Sequence, residues 1–177
     1  MLFLEFRPIT RGRLRRSRVS FWLLTLAALA LYAATALDYA FPGASATWIA
    51  WAAGLDVREV PSHPLLMWAA GHVVRLPWLS LPLRLNLMAA VAGALAVGWT
   101  FKVVWFVVFE AMREESAVTH ASRNARFAGW MAAAAVGLSL PFWQAATRFQ
   151  PQIFDVAFLM ACAHLLTVYA RSKRIVW

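Results

Sequence analysis

Cysteine is almost missing from this chain, acids are scarce, and no stretch of mixed polar composition is long enough to make a soluble domain. The one cysteine, Cys162, lies in an apolar run, which excludes an intrachain disulfide and leaves the redox compartment open. No Walker loop, dinucleotide fingerprint, zinc-type cysteine and histidine spacing or nucleophile elbow is present, so the common soluble-enzyme signatures are excluded. Charged residues make up only 14% of the chain against 62% hydrophobic, a balance that a water-soluble core cannot absorb. What charge there is leans one way, with 17 lysines and arginines against 8 acids. These basic residues cluster beside apolar segments instead of forming a soluble stripe, which favours membrane topology over nucleic-acid binding.

With 177 residues and about 20 needed per bilayer crossing, the chain has little room for a second domain. The expected architecture is an all-α membrane protein with about four transmembrane helices. A basic tail, residues 1–20, carries Arg7, Arg11, Arg13, Arg15, Arg16 and Arg18 ahead of a first span over 21–41. That run exceeds the apolar core of a cleaved signal peptide, so a retained anchor is expected. Further spans are expected over 85–109, 127–144 and 153–170 within a membrane domain of 21–177. The loop between the first two, residues 42–84, is too polar to span and too apolar to be a plain solvated loop. It reads as two short interfacial helices, one capped by Ser45 and running through Trp48 to Gly54, the other starting near Pro64 and ending before Pro77. Basic residues of the tail, of the 113–126 loop and of the C-terminus (Arg171, Lys173, Arg174) then fall on one side, cytoplasmic by the positive-inside rule. Lys102, near that end of the second span, is expected to snorkel towards it, and His164, in mid-span, to bond to a neighbouring helix. Helical spans and a basic tail are expected in an inner, cytoplasmic membrane.

Polar residues gather on the opposite, extracytoplasmic side: Asp38, Asp56, Arg58, Glu59, His63, Arg84, Asn86, Arg148, Gln152 and Asp155. A carboxylate there can act as a base or hold a metal, and an arginine can hold phosphate with two parallel hydrogen bonds. Asp38 reads either as the marker of the first helix end or as a site acid. Asp56 and Glu59, flanking Arg58, read as a solvated cluster. His63 lacks a second ligand at metal spacing and reads as a hydrogen-bonding loop residue.

The order of these features, together with Pro42-Gly43-Ala44-Ser45, Pro61-Ser62-His63-Pro64-Leu65, Leu83-Arg84-Leu85-Asn86-Leu87, Ala92-Gly93-Ala94-Leu95-Ala96 and Pro141-Phe142-Trp143-Gln144-Ala145, resembles the N-terminal part of bacterial membrane proteins related to GT-C glycosyltransferases, the protein O-mannosyltransferase-like group. The resemblance implies sugar transfer from a polyprenyl-phosphate-sugar donor, with a divalent metal allowed and a first-loop acid as catalytic base. The family acids follow the Pro-Gly pair, and here those places are Ala44 and Thr47. Asp38 is the nearby acid left to substitute as the catalytic residue, with Arg84, Asn86, Arg148 and His63 as substrate-binding candidates. The family usually has about twice as many spans or more, with the lipid donor among later helices, so the chain reads as a first third: a truncated product, a fragment, or a subunit that completes its bundle with another membrane chain.

Two functions follow from different classes. One is a GT-C-like glycosyltransferase segment, and the other a non-catalytic membrane scaffold or partner subunit of a larger complex. A transporter ranks below both, since Lys102 and His164 are its only mid-span polar candidates. The expected partners are the lipid bilayer and other membrane chains, not nucleic acid.

Overall fold

A computed structural model describes residues 11–55, 63–112 and 118–173. The described residues form seven helices: α1 (Arg11–Thr35), α2 (Ala44–Ala52), α3 (Pro64–Val74), α4 (Leu81–Met112), α5 (Val118–Gly137), α6 (Leu140–Ala146) and α7 (Pro151–Lys173). Three stretches, Arg16–Thr35, Leu81–Met112 and Pro151–Ala170, are long and apolar enough to cross a membrane. The all-helical membrane class expected from composition is the observed one.

Helix α4 is the axis of the molecule. Its buried residues include Ala89, Ala90, Ala92, Gly93, Ala94, Ala96 and Gly98, a surface of very small side chains. Helices in lipid gain nothing from hiding apolar groups, because the tails are equally apolar, so close van der Waals packing over small residues takes over. Phe21 and Thr25 of α1 press on Gly98, and Tyr32 reaches Gly93. Gly129 of α5 sits under the Phe101 ring, Gly137 on Val97, and Ala146 of α6 on Gly93. In each pairing the partner number rises as the α4 number falls, so α1 and the α5–α6 path both run antiparallel to α4 and parallel to each other. The α7 helix runs parallel to α4, with Phe149, just before it, bonded to Asn86 near the start of α4 and His164 within electrostatic reach of Lys102 further along.

The outside of the bundle is the apolar side. Helix α1 buries Ser17, Ser20 and Thr25 while exposing Trp22, Leu23 and Leu26, and α7 exposes Phe158, Leu159, Leu165 and Leu166. In water this pattern would be unstable; against hydrocarbon it is the favourable one. Lys102 extends its Nζ to Ser17 Oγ at 2.9 Å, level with Arg16 and Arg18, so its charge is carried to the basic end of the bundle as expected of a snorkelling lysine.

Element boundaries differ from the sequence reading where a backbone bond ends a helix early. Helix α1 stops at Thr35 rather than 41: the Ala36 N–H makes a tight bond back to Ala33, and the Leu37 carbonyl is taken by the Asn86 side chain. The cap of α2 is Gly43, not Ser45. Gly43 adopts φ 98°, which favours glycine, and its carbonyl accepts from Ala46 and Thr47, while Ser45 is buried in the first turn. Helix α3 begins at Pro64 as expected and ends at Val74.

The expected 127–144 span has a longer lead and a break. Helix α5 begins at Val118 and ends at Gly137, and α6 resumes at Leu140. Pro141 explains the break. A continuous helix would have the residue 141 N–H bonded to the Gly137 carbonyl four residues back, but proline has no N–H and its ring crowds that oxygen. The orphaned Gly137 carbonyl accepts a 2.7 Å hydrogen bond from the buried Tyr32 hydroxyl of α1. Trp143 Nε1 donates to Thr35 Oγ1 at 3.1 Å, and the Tyr32 ring lies edge-on to Trp143, so α6 is latched to the end of α1.

Tyr32→Phe is therefore expected to cost about 1–3 kcal/mol by stranding a buried carbonyl. Adding Pro141→Ala, which returns a donor to Gly137, should recover part of that loss; a double-mutant cycle of reversible unfolding in detergent measures the coupling. Packing gives a second contrast. A Cβ on Gly129 would lie 2.8 Å from the Phe101 ring, so Gly129→Leu should destabilise by about 1–3 kcal/mol. Gly71 of α3 has nothing within 4 Å of such a Cβ, and Gly71→Ala should be neutral or stabilise by up to about 1 kcal/mol in the same assay.

Candidate functional site

The ends of α1 and α6 and the starts of α4 and α7 meet at the end of the bundle opposite the basic clusters, together with α2 and α3. All five candidate residues, Asp38, His63, Arg84, Asn86 and Arg148, lie in this cap, so the sequence placed them in one region. The structure then disperses them among separate partners.

Asn86 is fully buried on the second turn of α4. Its Nδ2 donates to the Leu37 carbonyl at 2.9 Å and its Oδ1 accepts from the Phe149 N–H at 2.8 Å. One amide thus ties both the exit from α1 and the entry to α7 to the axial helix. Two turns of chain leaving helices would otherwise bury unpaired main-chain groups. Arg84 serves the end of α3. Its Nη1 donates to the carbonyls of Val74 at 2.7 Å and of Leu76, with Val73 at 3.5 Å, a cationic cap on the negative end of that helix. The Arg84 Nε is buried without a hydrogen-bond partner.

The Arg148 guanidinium stacks 3.5 Å from the centre of the Phe41 ring, a cation–π contact that joins the loop after α1 to the loop before α7. His63 Nε2 lies 3.3 Å from Asp155 Oδ2, and the His63 ring stands edge-on to Trp48 at 5.6 Å, which in turn meets Trp51 at 4.9 Å. This pair joins the N-cap of α3 to α7. Asp38 is exposed, and its main-chain carbonyl accepts from Ser80 Oγ at 3.0 Å, docking the loop against the start of α4.

The arrangement is a set of clasps between chain segments, in which the side chains of Asn86, Arg84, Arg148 and His63 each hold a partner within the fold. Among the described residues no group of three or more His, Cys, Asp or Glu is placed to hold a metal ion, so the oxygen-rich donor set that a divalent cation prefers is not assembled there. Asp56, Arg58 and Glu59 lie outside the described residues, as do Pro61 and Ser62 of the second resemblance motif. Ala44 and Thr47, the places of the family acids, sit in the first turn of α2. His164 lies within electrostatic reach of Lys102, and its Nδ1 is buried without a hydrogen-bond partner.

Sequence reading missed the pairing of His63 with Asp155 and the whole Tyr32–Gly137 bond. For the second a signal existed, since Pro141 announces an orphan carbonyl at position 137. For the first none did, because residues 63 and 155 meet only through the docking of α3 on the bundle. Comparison with protein-family models, with curated proteins and with solved structures found no match. The GT-C resemblance accordingly stands on the quoted residues alone.

If Asn86 is a clasp, Asn86→Leu, similar in size but unable to bond, should strand two main-chain groups and cost about 2–5 kcal/mol. Asp38→Asn should change stability by less than about 0.5 kcal/mol. Thermal unfolding of the two variants in one detergent checks the contrast.

Proposed function

We propose that this protein is a non-catalytic membrane scaffold or partner subunit, a multi-pass helical element that works by its surfaces. The observation that carries the reading is the use made of the candidate side chains: Asn86 and Arg84 are bonded to main-chain carbonyls and an N–H, Arg148 to Phe41, and His63 to Asp155. A transferase needs a base within reach of an acceptor hydroxyl and a cationic group near the leaving phosphate. The Asp38 carboxylate is exposed, and the two arginines are spent on the carbonyls at the end of α3 and on the Phe41 ring. The broad apolar exterior of α1 and α7 supports contact with lipid or with other membrane chains.

In this reading the protein resides in a bacterial inner membrane with both ends in the cytoplasm. It crosses four times, the third crossing being the α5–α6 path in two pieces. The GT-C resemblance then describes ancestry, with the chemistry of a polyprenyl-phosphate-sugar donor lost along with the acids at Ala44 and Thr47.

The test is sugar transfer by the purified chain in lipid with radiolabelled polyprenyl-phosphate sugars, beside Asp38→Asn. The expected result is no transfer from folded protein. Transfer that vanishes in Asp38→Asn would replace this proposal with an active GT-C-like enzyme using Asp38 as base. In spheroplasts expressing the Cys162→Ala chain, Asp38→Cys should react with an impermeant thiol reagent added outside, and Thr119→Cys only after permeabilisation.

A further inference from the structure

Helices α1 and α5 both lean on α4, but they do not close on each other. Between them lies a crevice of about 180 Å³, lined by residues including Leu24, Ala27, Ala28, Ala133, Ala134 and Gly137, with Val97 of α4 among them. Its lining is almost wholly apolar, and the Tyr32 hydroxyl, the obvious polar group on it, is spent on Gly137. Alanines and a glycine on the two walls keep the space from being filled by the protein itself. The volume is on the order of that which holds one small ring, too narrow for a helix about 10 Å across but suited to part of an acyl chain.

The charge pattern decides which lipid. Arg16 precedes Ala27 by eleven residues, and Arg123 precedes Ala134 by eleven residues. Eleven residues are three helical turns, so each arginine lies on the same face as the alanine it precedes, about 16 Å nearer the basic end. Since α1 and α5 run parallel, the two exposed arginines flank the crevice at the same end. A separation of about 16 Å matches half the thickness of the hydrocarbon core, the distance from a lipid phosphate to the end of its tail. Between the two levels, exposed Leu23, Phe127 and Met131 provide an apolar path.

We propose that the α1–α5 crevice is a binding site for one anionic phospholipid, its acyl chain against Ala27, Ala134 and Gly137 and its phosphate between Arg16 and Arg123. The assignment holds whichever face of the membrane the basic end occupies. It is also independent of the scaffold reading.

The probes are dioleoyl-phosphatidylglycerol and dioleoyl-phosphatidylcholine, titrated onto the delipidated full chain in detergent and read by native mass spectrometry and thermal stability. One phosphatidylglycerol per chain is expected, with about a tenfold preference over phosphatidylcholine, and with near parity in the double variant Arg16→Gln, Arg123→Gln. Ala134→Phe should fill the crevice and abolish retention while keeping the melting temperature of the lipid-free protein. Ala27→Leu, a smaller addition on the other wall, serves should Ala134→Phe fail to fold. Arg75→Gln, at the opposite end, should leave binding unchanged. Equal retention of both lipids, indifference to the arginine pair, or undiminished binding with the crevice filled would overturn the site. Loss of a dimer on filling it, without loss of lipid, would overturn it in favour of a second copy of this chain.

Discussion

The distance at which a neighbour can approach α4 governs this molecule. In lipid there is no water to expel from between helices, so association depends on how many atoms come into van der Waals contact and on how completely polar groups are paired. A run of alanine and glycine from Ala89 to Gly98 brings α1, α6 and α5 close to the axial backbone. Replacing those small side chains would move every surrounding helix outwards together, and the hydrogen bonds that cross between helices would lengthen with them.

Those cross-helix bonds meet a second requirement of the bilayer, that each main-chain group find a partner. At several helix ends and breaks among the described residues a side chain from another element takes up the exposed group: Tyr32 at Gly137, Asn86 at Leu37 and Phe149, Arg84 at the end of α3. The polar residues that drew attention as chemistry are mostly of this kind. In an aqueous protein water would satisfy many of these groups. Here the protein must do it, and that need alone raises the number of buried polar side chains.

How much of this was legible in the sequence depends on how local the cause is. The apolar runs, the start of α3 at Pro64, the segregation of basic residues and the snorkelling of Lys102 all follow from composition within a turn or two, and they were readable. The break after Gly137 was half readable. Pro141 shows that a carbonyl is orphaned, but only the packing of α1 on α4 shows that Tyr32 receives it. Asn86 and Arg84 were recognised as unusual polar residues in an apolar setting, while their partners, 49 and 63 residues away for Asn86, depend on the assembled bundle. That the candidate residues share one end of the bundle was readable from their places at helix ends, while the uses of their side chains were set by tertiary contacts that no spacing encodes.

The division of α5 bears on how the chain enters a membrane at all. Only its second half is apolar, from Phe127 to Gly137, and Thr119, His120, Arg123 and Arg126 precede that half on the same helix. Such a segment partitions poorly by itself, far short of the run of about 20 residues that inserts unaided. With α4 already in place, Gly129 and Gly137 have a surface to meet and the broken carbonyl has Tyr32 waiting. On the four-crossing reading proposed above, insertion is ordered: α1 and α4 enter first, and the α5–α6 crossing is drawn in by them as a passenger of the bundle.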